Sequence, residues 1–200
     1  MPFRAALPAT TLLVLATVPA SSASGDLFPP AVLEAGGHSR LATPDEPALW
    51  PADALQGYKQ RYRLWMGGYR INADISIRID VDMNGQAWAF VKRGRGRVAI
   101  PDDPIMRYGP IVVDQDDLSD LEQRIRAAGL WRTFPQFYVR DQTDGSICAH
   151  DEDVILERLD SEGYRYAQGQ LYCTLGRSQR AVVEKILAIA QLDVSIRGVR

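Results

Sequence analysis

Three observations in the sequence predict an α+β fold, an antiparallel sheet of five or six strands built on hairpins with two helices packed on one face. From Ile71 to Met83 the odd positions are apolar and the even ones polar or charged, the pattern of a strand with one buried face. A second strand pair, residues 154–159 and 164–168, is joined by the turn-forming Asp160-Ser161-Glu162-Gly163. Two amphipathic stretches, one after Ser119 and one after Ser178, supply the helices. The order strands, helix, strands, helix, joined by short turns, is that of an antiparallel sheet covered on one side.

Taken in order, the chain begins with Arg4, an uncharged apolar run over residues 5–18, and a small-residue stretch ending Ser21-Ser22-Ala23-Ser24. This pattern is that of a secretory signal peptide, residues 1–23, cut near Ala23; the run is too short to span a bilayer. The expected location of the mature chain is periplasmic or secreted, without a membrane attachment. The whole chain has 23 basic and 25 acidic residues. Removing residues 1–23 takes away only Arg4 among the charges, leaving 22 against 25, or −3. That balance offers no electrostatic attraction for nucleic acid or an anionic membrane. Residues 24–52 carry five prolines and no sustained period, and read as a flexible arm or a strap laid over the surface, with Trp50 among its docking candidates. The remaining residues, 53–196, form a single domain.

Within that domain Tyr58, Gln60, Tyr62, Leu64 and Met66 alternate with Lys59, Arg61, Arg63 and Trp65 in a first strand, and Gly67-Gly68 turns the chain. The strand ending at Met83 meets Asn84-Gly85, the dipeptide of a two-residue type I′ turn. That turn sets Met83 opposite Gln86. It places Trp88 and Phe90 on the apolar face, opposite Val81 and Ile79, and sets Asp80 and Asp82 opposite Ala89 and Ala87 on the solvated one. Pro101 and Pro104 stop the returning strand, and residues 111–113 form a short extended piece. Ser119-Asp120-Leu121-Glu122 has the form of a capping box, so a helix starts at Asp120, and Gly129 occupies its C′ position. Leu130, Trp131, Phe134, Phe137 and Tyr138 then pin this helix to the sheet. The second hairpin pairs Leu159 with Tyr164, and Ser178 caps a final helix reaching about Leu192.

Asp144-Gly145, then Ile155-Leu156-Glu157, then Gly163-Tyr164-Arg165-Tyr166 ahead of an apolar C-terminal helix resembles small bacterial exported α+β proteins of unknown function, which carry a D-G, I-L-E, G-x-Y succession. The resemblance covers about a quarter of the chain, supports the fold class and brings no activity. Cys148 and Cys173 are the only cysteines. An even pair in an oxidising compartment reads as a disulfide, and the second hairpin brings the two within two residues of facing each other. Closing a loop of about 25 residues contributes roughly 3 kcal/mol.

Four constellations bear on chemistry. Asp80-Val81-Asp82-Met83-Asn84-Gly85 spells the first half of an EF-hand loop, but Val91 stands where the bidentate Glu belongs and strands flank the motif. Asp80, Asp82 and Asn84 are thus candidates only for a calcium site completed from elsewhere. Arg93, Arg95 and Arg97 point one way on an extended strand, as a surface for an anionic or polysaccharide ligand or as cross-strand partners of Ser76, Asp74 and Asn72. Asp144, His150 and Asp151 form the densest titratable group and are the candidate centre of a hydrolase-like enzyme. Glu157, on a largely apolar strand near Tyr166, reads as a structural acid with its hydrogen bonds satisfied. The chain has no HExxH, CxxC, G-x-S-x-G, Walker or dinucleotide motif, and no cofactor is implied. The favoured reading is a non-enzymatic binding or association module for a protein or a small anionic or polysaccharide ligand. The alternative is the periplasmic hydrolase.

Overall fold

The computed structural model describes residues 47–68, 73–95, 106–131 and 152–192. Six strands form one antiparallel sheet among them: β1 (Tyr58–Gly68), β2 (Ala73–Asp82), β3 (Ala87–Arg95), β4 (Met106–Val113), β5 (Glu152–Asp160) and β6 (Gly163–Gln170). Their spatial order is β4-β3-β2-β1-β5-β6, so β1 lies inside the sheet between two hairpins distant in sequence. Helices α1 (Gln115–Ala128) and α2 (Arg177–Ile189) pack on one face. Leu121 and Ile125 of α1 and Val182 and Ile186 of α2 share a buried cluster with Leu64, Ile77, Val91 and Leu156. The α+β class, the hairpin architecture and the two helices on one face are as the sequence predicts.

The register of the first hairpin differs from the predicted one by a residue. Val81 pairs with Ala87 and Asp80 with Trp88, and Asp82 bonds to Gln86 across a three-residue loop, Met83-Asn84-Gly85. Only Gly85 takes a positive φ, +86°, in this loop, and its amide donates to the Asp82 carbonyl at 3.0 Å. The geometry is a type I turn followed by a left-handed glycine, which Asn-Gly serves as well as it serves type I′. The Asp82 carboxylate selects it: Oδ1 accepts from the amides of Asn84 (2.9 Å) and Gln86 (2.8 Å). Met83 therefore does not face Gln86, and it is exposed. Because side chains alternate with period two, the slip moves every β3 residue to the other face. Ala87, Ala89 and Val91 join the helix-side core, and Trp88 and Phe90 leave it.

The second hairpin has the predicted register, Leu159 opposite Tyr164 and Glu157 opposite Tyr166. Residues 111–113 extend into the longer edge strand β4, which pairs with β3 across a bulge. Helix α1 begins five residues before the predicted start, with Asp114 at its N-cap, so Ser119 is an interior residue. Gly129 ends it at φ +62°, as expected. Helix α2 starts after Gly176, whose amide donates to Gln179 Oε1 at 2.6 Å, in place of the predicted Ser178 cap, and it ends at Ile189. Of the aromatic segment, Leu130 and Trp131 pack against the core; Phe134, Phe137 and Tyr138 lie outside the described residues.

The face opposite the helices is covered by a strap. Residues 47–56, including a 3-10 turn at Ala52–Leu55, reach back to the middle of the sheet, and Leu49 is fully buried there. Of the two readings of the proline-rich arm, its described end is the strap.

Candidate functional site

On the strap face, registered rows of side chains run across the sheet. One row reads Phe90, Arg78, Arg63, Glu157, Tyr166; the next reads Trp88, Asp80, Arg61, Leu159, Tyr164. Arg61 and Arg63 arrive on this face because they alternate with Tyr62 and Leu64, which the helix-side core holds. Arg61 sits directly opposite Asp80 and binds it through both ends of its fork, Nε to Oδ1 at 2.8 Å and Nη2 to Oδ2 at 3.3 Å. Asp80, only 1% exposed, also accepts from Arg78 Nε at 3.0 Å. Arg63 is wholly buried and donates through Nε to Glu157 Oε2, while the Tyr164 hydroxyl donates to Oε1 at 2.7 Å. Two further donors reach the strap: Arg61 Nη1 to the Ala54 carbonyl and Arg63 Nη1 to that of Pro47, both at 2.7 Å.

A buried charge is tolerated only when it is paired and its remaining hydrogen bonds are made. This face meets that condition by matching two arginines of β1 to one acid on each neighbouring strand. Burial pushes the Tyr164 phenol well above its usual range, and the Glu157 charge beside it adds to the shift. The phenol stays a hydrogen-bond donor throughout the neutral range. Glu157 is thus the satisfied structural acid the sequence suggests, with Arg63 and Tyr164 as its partners.

Toward the β4 edge the same face opens into a recess of about 310 Å³ lined by Arg78, Phe90, Val91, Lys92, Arg107, Tyr108 and Gly109. Its shape follows from the β3–β4 bulge. Gly109 has φ +118°, and a Cβ there would stand 2.7 Å from the Ala89 carbonyl oxygen, so only glycine permits the strands to approach this closely. The Arg78 guanidinium lies 4.8 Å over the Phe90 ring, which leaves it both ion-paired and stacked. Three cationic and two aromatic residues line the recess, with no acidic residue among them. Such a lining suits planar or anionic ligands: forks and ammonium groups for oxyanions, ring faces for sugar or planar surfaces.

The predicted site residues fall elsewhere. Asp80 is committed to Arg61 and Arg78, and Asp82 to the turn, where Asn84 Nδ2 also approaches it at 3.4 Å. No group of three or more metal-binding side chains occurs among the described residues. Arg93 is exposed and opposes Ile75, and Arg95 opposes Ala73, so the expected pairings with Ser76 and Asp74 are replaced by Lys92 and Gly94 in the shifted register. Arg97, Asp144, Cys148, His150 and Asp151 lie outside the described residues. Cys173, in the turn after β6, carries no free thiol. No described helix is long and apolar enough to cross a membrane.

Sequence reasoning missed Arg61, Arg63, Arg78, Lys92 and Arg107. The one available signal was the placement of Arg61 and Arg63 on the same side of a strand that had to pack. No family model matches the chain, and neither does any curated protein or solved structure.

Proposed function

We propose that this chain is an exported, non-enzymatic binding module whose ligand is a small anion or an anionic polysaccharide, held in the recess beside β4. The observation that carries this reading is the lining: Arg78, Lys92 and Arg107 with Phe90 and Tyr108, and no acid among them. This reading gives the anion-binding role to these residues in place of the expected Arg93, Arg95 and Arg97. The paired rows beside the recess support it by holding Arg78 in place through Asp80, so the cation costs little to order on binding.

Export rests on the N-terminal pattern, and with it goes a disulfide between Cys148 and Cys173, in keeping with the lack of a free thiol at Cys173. The likeness to small bacterial exported proteins fits the same assignment. The mature chain is expected to begin near Ser24 and to gain two thiols on reduction; N-terminal sequencing and thiol counting by mass spectrometry check both.

The binding test is calorimetric titration of the mature protein with a uronate and with a sulfated oligosaccharide. Lys92→Gln and Arg107→Gln are each expected to weaken binding by about tenfold, one charge-assisted contact apiece. Binding that is absent, or unchanged in both variants, contradicts the reading.

A further inference from the structure

A second recess, of about 290 Å³, lies on the other side of the sheet, under the carboxyl end of α1. Arg126, Trp131, Arg158 and Arg165 line it over an apolar floor that includes Ile125 and Leu130. We propose that it is a binding site for a compact oxyanion, a phosphate or a carboxylate, held by Arg158, Arg165 and the Trp131 indole.

Arg158 and Arg165 are direct cross-strand partners on β5 and β6. Two like charges in that relation repel unless something between or beside them is negative. Each has a carboxylate partner, Arg158 with Asp160 at 2.5 Å and Arg165 with Glu162 at 2.6 Å, and Arg126 lies 3.7 Å from Glu122. None of those acids lines the recess, so the lining itself carries three positive charges.

The second observation is independent of charge. Arg158 Nε and Trp131 Nε1 are both shielded from solvent and donate to nothing. Buried polar groups are nearly always hydrogen-bonded, and an unmet N–H is costly. Two such donors on residues lining one small recess call for an acceptor, and the guanidiniums around them make that acceptor anionic. The exposed negative end of the α1 dipole opposes an anion, so recognition depends on the arginines and not on the helix. Arg158 keeps an Nη on Asp160, and Arg165 faces it across the strand pair. That leaves room for a tetrahedral or planar oxyanion.

The test uses the mature chain labelled with ¹⁵N. The Trp131 indole resonance, assigned by its loss in Trp131→Phe, is followed while inorganic phosphate and, separately, acetate are added at constant ionic strength in chloride. A saturable shift is expected with at least one of them, and which one responds tells a phosphoryl ligand from a carboxylate. Arg165→Gln, whose partner Glu162 is exposed, is expected to weaken that binding by about tenfold without changing the amide spectrum elsewhere. Arg126→Gln, which removes a third lining charge from a side chain that is 69% exposed, serves as a second variant should Arg165→Gln unfold and is expected to weaken the binding in the same direction. An indole resonance unmoved by either anion, moved equally by glycerol, or moved equally in the variants overturns the site. Neither Arg165→Gln nor Arg126→Gln touches the recess beside β4, so oligosaccharide binding there is expected to persist in both.

Discussion

On the helix side of the sheet Leu64, Ile77, Val91 and Leu156 lie under α1 and α2 in one apolar cluster. On the strap side their neighbours in the same strands, Arg63, Arg78, Lys92 and Glu157, lie under or beside ten residues of strap, and there buried ion pairs sit among the apolar Leu49, Trp65, Ile155 and Leu159. The same β1 residues, alternating, serve both. The two sides differ in what they require. Apolar packing asks for volume, and tolerates exchange of one hydrophobe for another of similar size. A buried ion pair asks for one particular partner at one register position, and losing that partner leaves a charge with nowhere to go. The strap side therefore fixes how β2 and β5 align on β1: Arg61 with Asp80 sets one seam and Arg63 with Glu157 the other. It also fixes where the recess beside β4 lies, through Asp80 and Arg78.

The largest expected effect comes from orphaning a charge. Glu157→Leu leaves the wholly buried Arg63 without its carboxylate and is expected to cost about 3–5 kcal/mol in urea unfolding. Next is Leu49→Ala on the strap, a fully buried side chain, at about 2–4 kcal/mol; the same assay would show a negligible loss if the strap only rests on the surface. Adjacent positions then give the sharpest contrast. Arg63→Lys keeps the charge but loses the fork and the bond to Pro47, about 1.5–3 kcal/mol, whereas Leu64→Met on the other side is expected to cost less than about 1.5. Equal costs would erase the distinction between the two sides.

The smallest effect belongs to the clip between the helices, where Lys185 Nζ reaches Asp117 at 2.7 Å and Asp120 at 2.9 Å. The Asp117 contact leads in raising the Lys185 pKa, and hydrogen bonds from Arg124 and then Lys185 lower that of Asp120. A raised lysine contributes stability that is complete below its ordinary pKa of about 10.4 and lost as pH climbs past it. A depressed carboxylate contributes stability that is present above its ordinary value of about 3.9 and lost as pH falls. Lys185→Met should therefore separate from the wild type by a small, constant amount between those limits, with the two stability curves converging at both ends. A difference that grew outside that window would contradict the assignment.

Much of the scaffold was legible in the sequence. The alternation through Ile75, Ile77, Ile79 and Val81 gave β2 its buried face, Gly129 ended α1, and Leu159 opposite Tyr164 set the second hairpin. The first hairpin was misread by one residue because Asn-Gly fits two loop lengths. What decides between them is the Asp82 carboxylate on two amides, a side-chain contact no periodicity encodes. That one residue carried Trp88, Phe90 and Lys92 to the strap face, and the recess with them. The Ser119 capping box failed because the helix begins at Gln115, after an Asp114 that makes no side-chain cap bond, and runs straight through Ser119. The ion pairs could not be read at all without knowing which strands flank β1, since Arg63 and Glu157 are 94 residues apart.

A double-mutant cycle on that pair tests the account most directly. Arg63→Met and Glu157→Leu would be made singly and together, and each followed by urea unfolding. Matched charge predicts that the double variant is more stable than either single one, with a coupling of about 2–3 kcal/mol, because removing both partners strands neither. Costs that simply add would show that Arg63 and Glu157 act as separate packing residues, and that the strap face is held together in the same way as the helix face.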